Sequence, residues 1–239
     1  MDYLSVIILL IIIAIGPWLV YFIYYSKLHS EFVKIFIMGG VGWYVALMLR
    51  LPIILVMSFY FDLLAIGIIS AICAGIFEEA VRYFFAKQFI EKEIINGKVM
   101  SLGVGWGLGE AFLVFALNMI VIAIIVTNKI EIPTLQIPSP EDLFIMGLIG
   151  AVERIVATML HVTLTLFVVR SLKNKKFLYY AIIYHTIVDI FAALYHANML
   201  DIALLEIIFL FLTMAGLIIA RIYIKQDIWK FFKDPNANF

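Results

Sequence analysis

Seven stretches of about twenty or more apolar residues punctuate this chain, and each is long enough to cross the hydrocarbon core of a bilayer. They run over about 3–25, 35–59, 63–88, 101–127, 142–169, 177–198 and 202–223. A backbone in hydrocarbon must satisfy its own hydrogen bonds, so the spacing predicts an all-α bundle. With 65% hydrophobic and 14% charged residues and a mean hydropathy of +1.11, the chain has too little polar surface for a soluble fold. The expectation is a polytopic protein of the cell membrane: one transmembrane helical-bundle domain over 1–239, seven transmembrane helices, and a lipid-facing exterior. No Lys or Arg precedes the first run and no small-residue cleavage site follows it, so that run is expected to be retained as a helix. Gly16-Pro17 and Pro52 are candidate bends.

Thirteen of the 17 lysines and arginines fall in the connections after the first, third and fifth runs and in the tail, with Lys129 alone on the other side. That asymmetry places the amino terminus outside and the carboxyl terminus in the cytoplasm. The formal net charge of zero offers nothing to nucleic acid. Cys73, the single cysteine, excludes an internal disulfide and a thiolate zinc cluster, and reads as a small buried hydrophobe. TNKIEIPTLQIPSPED forms the main external loop, and its Ser139-Pro140-Glu141-Asp142 reads as a helix start. The tail IYIKQDIWKFFK suits a segment lying at the cytoplasmic interface.

Charges inside these spans need a reason. GIFEEAVRYFF, residues 75–85, carries Glu78, Glu79 and Arg82 within the third run, and each charge costs about 2.5–3.5 kcal/mol at the centre of a spanning helix. Glu78 and Arg82, four apart, are positioned to pair. Counted from the cytoplasmic helix ends, Glu79, His161, His185 and Glu110 all lie about 12–14 Å deep, which brings four helices to one plane. Asp189 sits one turn from His185. Arg154, Thr158, His161 and Thr165 form one polar stripe. Gly103, Gly105, Gly107 and Gly109, just before Glu110, suit close helix packing. Two imidazoles with two or three carboxylates and no thiolate make a zinc-type donor set with an open position for water, and adjacent glutamates suit proton transfer. Arg50 and Glu153 are expected to pair with each other, while His29, His196 and Glu206 are expected to be solvated.

Glu78-Glu79-x-x-Arg82, Trp106-x-x-x-Glu110, Glu153-Arg154 leading to His161, and His185-x-x-x-Asp189, in that helix order, resemble the CPBP and PrsW superfamily of intramembrane metalloproteases, which includes the type II CAAX proteases. Arg50-Leu51-Pro52 and ERIVATMLHVTLT make the YhfC type the most similar branch. The resemblance implies hydrolysis of a peptide bond in a membrane-associated protein substrate, with the paired glutamates activating water and histidines of later helices binding metal. Glu110 and Asp189 stand where CAAX proteases have histidine and asparagine, so a CAAX substrate is not implied.

The leading expectation is a zinc endopeptidase whose site opens to the cytoplasmic leaflet. Glu79 with Glu78 forms the general base, Arg82 stabilises charge, His161 and His185 are metal ligands, and Glu110 or Asp189 completes the shell. The chain is also similar to APH-1, and the alternative is a non-proteolytic scaffold or assembly subunit of a membrane protein complex. A cation-coupled transporter is the third reading, but no repeated half supports it.

Overall fold

The computed structural model describes residues 2–130, 137–225 and 227–239. Among these, seven helical spans are long and apolar enough to cross a membrane. They are α1 (Tyr3–Ser26), α2 (Ser30–Met57), α3 (Leu63–Phe89), a fourth span made of α4 (Asn96–Ala111) and α5 (Leu117–Thr127), α6 (Pro140–Ser171), α7 (Lys176–His196), and α8 (Ile202–Ile219), which a π-helical turn, Ala220–Ile224, prolongs. A short α9, Ile228–Lys233, follows. The sequence boundaries hold to within a few residues except at the second and fourth spans, each of which begins five residues earlier than its apolar run. Residues 131–136 of the external loop lie outside the described residues.

The four spans that begin at the end of the bundle poor in lysine and arginine start with a side-chain cap. Asp2 accepts from the Ser5 N–H, Asp62 from Ala65 and Asp201 from Leu204, each at 2.9 Å, and Ser139 accepts from Asp142 with Pro140 at the first helical position. These acceptors satisfy amides the helix leaves open, and the acids face the positive end of the helix dipole. We call this the capped end, and the end rich in lysine and arginine the basic end.

The glycine-rich α4 lies between α2 and α6. A Cβ on Gly105 would collide with the Phe36 carbonyl of α2, and one on Gly107 would stand 2.6 Å from Thr158 Cα of α6. The spacing therefore permits backbone approach on two opposite faces, which fixes how α6 presents His161 to Glu110. Immediately after Glu110 the fourth span loosens into a π turn, Phe112–Ala116, before α5 resumes. Such turns are common beside functional groups.

The basic end is filled. Met100, Leu102, Leu164, Leu166 and Ile90 are fully buried in one cluster with Phe167 and Phe177. Instead of merely lying at the interface, the tail folds back onto this cluster. Phe231 is buried, Tyr25 and Tyr21 donate to the carbonyls of Phe231 and Phe232, and the chain from Pro235 to Phe239 hydrogen-bonds the backbone of Ile94, Asn96 and Gly97. This pairing explains the early start of α4. Asn96 is held by the Asp234 and Ala237 carbonyls and Lys98 by Glu31 and Glu93, so a polar stretch that reads as a loop is ordered as helix.

Candidate metal centre

The charged side chains of α2, α3, α4, α6 and α7 meet in the middle of the bundle. Glu79 and Arg82 are completely buried, and Glu78, His161 and His185 are 2% exposed. The adjacent glutamates point in different directions, because successive positions on a helix are about 100° apart. Glu79 accepts Arg82 Nη1 at 3.0 Å through one oxygen and His185 Nδ1 at 2.7 Å through the other. Glu78 pairs with Arg50 at 3.0 Å and accepts Trp106 Nε1 at 3.0 Å. Two sequence expectations are thereby corrected. Arg82 pairs with the glutamate three residues before it, not with Glu78, and Arg50 reaches across to Glu78 instead of Glu153. Glu153 pairs with its neighbour Arg154.

From Arg82 the network continues. Arg82 Nη2 is 2.9 Å from His161 Nδ1, and the guanidinium lies over the Trp106 ring, 4.5 Å from its centre. His161 Nε2 is 2.7 Å from Glu110, which also receives Arg154 at 2.7 Å. The hydrogen-bonding capacities fix the ring protons of neutral imidazoles. Arginine only donates, so His161 Nδ1 accepts and its Nε2–H donates to Glu110; the Glu79 carboxylate only accepts, so His185 carries its proton on Nδ1. His185 Nε2 is then left with a free lone pair, and its nearest charged neighbour is Asp189 at 3.6 Å. A histidine held through Nδ1–H by a carboxylate, with Nε2 free, is the arrangement that orients a metal ligand.

Ligand atoms of Glu78, Glu110 and His161 lie within 4.8 Å of one another, close enough for one ion. His185 is not part of that group, although its ring centre is 5.8 Å from that of His161. Charge gives a further test of fit. Across the linked ion pairs, five carboxylates (Glu78, Glu79, Glu110, Glu153, Asp189) face three guanidiniums (Arg50, Arg82, Arg154). One divalent cation, or two protons on the histidines, offsets the difference. The donors and the charge both fit such a cation.

A cavity of about 450 Å³ adjoins these groups, with Glu78, Glu110, His161, His185 and Asp189 in its wall. Glu79 and Arg82 are not in the wall. The cavity extends along α3 to Leu63, along α7 to His196 and along α8 to Leu205, which is towards the capped end. The expected opening was to the cytoplasmic leaflet, assigned by the lysine and arginine count to the basic end; the cavity runs the other way, and the basic end is filled by the apolar cluster. His29 and His196 are exposed as expected, but Glu206 is half-buried, and its Oε1 has no partner among the described residues. Cys73 is buried. Sequence reading missed Trp43, whose buried Nε1 has no acceptor among the described residues and which lines the same cavity. Its position seven residues before Arg50 on one helix face was the available signal.

A family model described as YhfC intramembrane metalloprotease matches residues 8–210. A protein of Bacillus subtilis (strain 168) named "Uncharacterized membrane protein YhfC" is 28% identical over 152 residues, which cover 56% of this chain and 59% of that protein. The chain thus spans about three fifths of the length of the curated relative it matches. No solved structure matches it.

Proposed function

Because the chain belongs to the YhfC intramembrane metalloprotease family, we propose that it is a metal-dependent endopeptidase that hydrolyses a peptide bond of a membrane-associated protein within the bilayer. The observation that carries this reading is the approach of Glu78, Glu110 and His161 to within 4.8 Å in the wall of a buried cavity. Imidazole and carboxylate donors without thiolate suit zinc. His161 and Glu110, joined by His185 through Nε2, would hold the ion, with Asp189 beside that same nitrogen. A bound ion would supply Lewis acidity to the scissile carbonyl and acidify water beside it. Glu78, the member of the glutamate pair that faces the cavity, takes the proton from water and returns it to the leaving amine. Glu79 is a positioning residue that holds His185 by Nδ1, and Arg82 balances the charge of Glu79. Arg82 Nη2 must release His161 Nδ1 for His161 Nε2 to offer its lone pair, since a neutral ring has one proton to place.

Elemental analysis of the purified protein and hydrolysis of a fluorogenic casein in detergent test this reading together. The expected result is one divalent ion per chain, lost in His161→Ala, and turnover lost in Glu78→Gln. Wild-type protein that holds no ion and cuts nothing sinks the reading. One observation favours a scaffold instead: nearly every charge at the centre already has a protein partner, which a purely structural network also requires. That reading predicts that His161→Ala abolishes co-purification with a partner membrane protein and leaves no enzymatic defect to measure.

A further inference from the structure

Cations at the basic end differ in what they face. Lys98 is held by Glu31 and Glu93, and Lys175 donates to the Tyr83 hydroxyl. Arg221 and Lys225 are exposed, and neither has an ion-pair partner among the described residues. Together with Asp227 and Trp229 they line one open concavity of about 470 Å³. Asp227 is engaged as the cap of α9, its Oδ1 accepting the Lys230 N–H at 3.1 Å. Lys233 brings a further positive charge to the rim, its Nζ 5.4 Å from the centre of the Trp229 ring, and that ring is 70% exposed. The frame behind these side chains is fixed. Ala220, Ile224 and Phe231 are buried in the apolar cluster, and Tyr25 donates to the Phe231 carbonyl. After the π turn Lys225 takes a left-handed backbone, φ 59°, which turns the chain from α8 towards α9. The cations are thus presented outward from an anchored segment, and little chain freedom is lost when a ligand arrives.

The surroundings say what that ligand is. Beside Arg221, the residues Ile218, Ile222 and Tyr223 are exposed, a surface that suits hydrocarbon and not water. An occupant therefore carries a negative group for the guanidinium and ammonium and an apolar body to lie along α8. Guanidinium matches phosphate oxygens in a fork, and an indole settles at the level of lipid headgroups. We propose that this concavity binds the phosphate headgroup of an acidic phospholipid in the leaflet at the basic end, with an acyl chain along the exposed face of α8. Lys173 and Lys176, around the turn from α6 to α7, are equally exposed but lie outside the wall of this concavity. They separate a built site from the general pull of a basic surface on acidic lipid. The proposal is independent of the endopeptidase reading.

Fluorescence of Trp229 reads occupancy without metal or turnover. The full chain is placed in phosphatidylcholine vesicles that carry a small fraction of phosphatidylglycerol brominated near the top of its acyl chains, or the same fraction of brominated phosphatidylcholine. Subtracting the signal of a Trp229→Phe chain isolates the one exposed indole. The expected result is severalfold stronger quenching by the brominated phosphatidylglycerol. Arg221→Gln and Lys225→Gln, both on the surface, should each pull that preference towards one, by up to about fivefold, the worth of one cation beside an anionic lipid surface. The double variant Lys173→Gln/Lys176→Gln, which removes as much charge from the same end as the two together, should leave it unchanged. Equal quenching by the two lipids overturns the site. So does an equal fall in both sets of variants, because the attraction then belongs to the whole basic end. Quenching that persists in excess inorganic phosphate supports a lipid occupant, and displacement by that phosphate assigns the concavity to a soluble anion and overturns the lipid.

Discussion

Helix α6 passes through two environments that hold the bundle together by different means. From Leu160 to Val169 its side chains are buried, most of them apolar, and packed against α4 in the cluster that also takes in Phe231 of the tail. Lower in number, Glu153, Arg154 and Thr158 share a helix face with His161 and lead into the ion-pair network. In lipid there is little hydrophobic gain from bringing helices together, so the filled half relies on contact and small residues. The charged half relies on closure, since a carboxylate or guanidinium left alone in such a place is far more costly than a missing methylene. The difference teaches that the filled half tolerates loss of atoms better than the charged half tolerates loss of one partner.

Removing one partner gives the largest effect. Arg82→Met leaves Glu79 buried beside an uncharged side chain, and the expected loss is about 3–5 kcal/mol, read as thermal unfolding in detergent. Restoring neutrality with Glu79→Gln in the same chain should recover part of it. If Arg82→Met unfolds at the wild-type temperature, water or lipid headgroups reach that pair and the contrast between the halves fails. Leu164→Ala, in the filled half, should cost about 2–3 kcal/mol by the lost contacts and the cavity left behind. Gly107→Ala, which pushes α4 away from Thr158, is expected to cost about 1–3 kcal/mol, and failure of a smaller residue at Thr158 to restore stability would sharpen the assignment to backbone approach, because the nearest atom, Thr158 Cα, stays in place. Glu78→Gln should cost about as much, about 1–3 kcal/mol, because glutamine can still accept from Trp106 but Arg50 loses its carboxylate partner. Its further effect is expected in metal content and turnover; an unfolding shift as large as that of Arg82→Met would move Glu78 from the reacting groups to the structural ones.

The spans were legible because about twenty apolar residues leave a chain few alternatives, and the plane of the site was legible because helices count depth at a constant rise. Partner choice was not. Arg82 is three residues from Glu79 and four from Glu78, and both spacings share a helix face, so only the rotation of α3 against α7 decides that His185 and Arg82 divide Glu79 between them. The same rotation turns Glu78 to Arg50, whose expected partner Glu153 is instead taken by Arg154 on its own helix. The start of α4 was hidden because what orders Asn96 and Lys98 lies more than a hundred residues away or on another helix. The depth of Glu110 was counted from Ser101, where the apolar run begins, whereas α4 begins at Asn96, so the count measured from the apolar run and not from the helix end. Resemblance to the family supplied the order of the motifs, and the geometry divided their work, assigning the cavity to Glu78 and the support of His185 to Glu79.

The hydrogen bonds between residues 235–239 and the segment from Ile94 to Gly97 set a timetable for biogenesis. The first turn of α4 emerges from the ribosome about 140 residues before the segment that completes it, a delay of roughly 7–28 seconds at 5–20 residues per second. During that interval α4 stands in the membrane with its first amides uncovered at the basic end, so the newly made bundle is vulnerable at that face until residues 235–239 arrive.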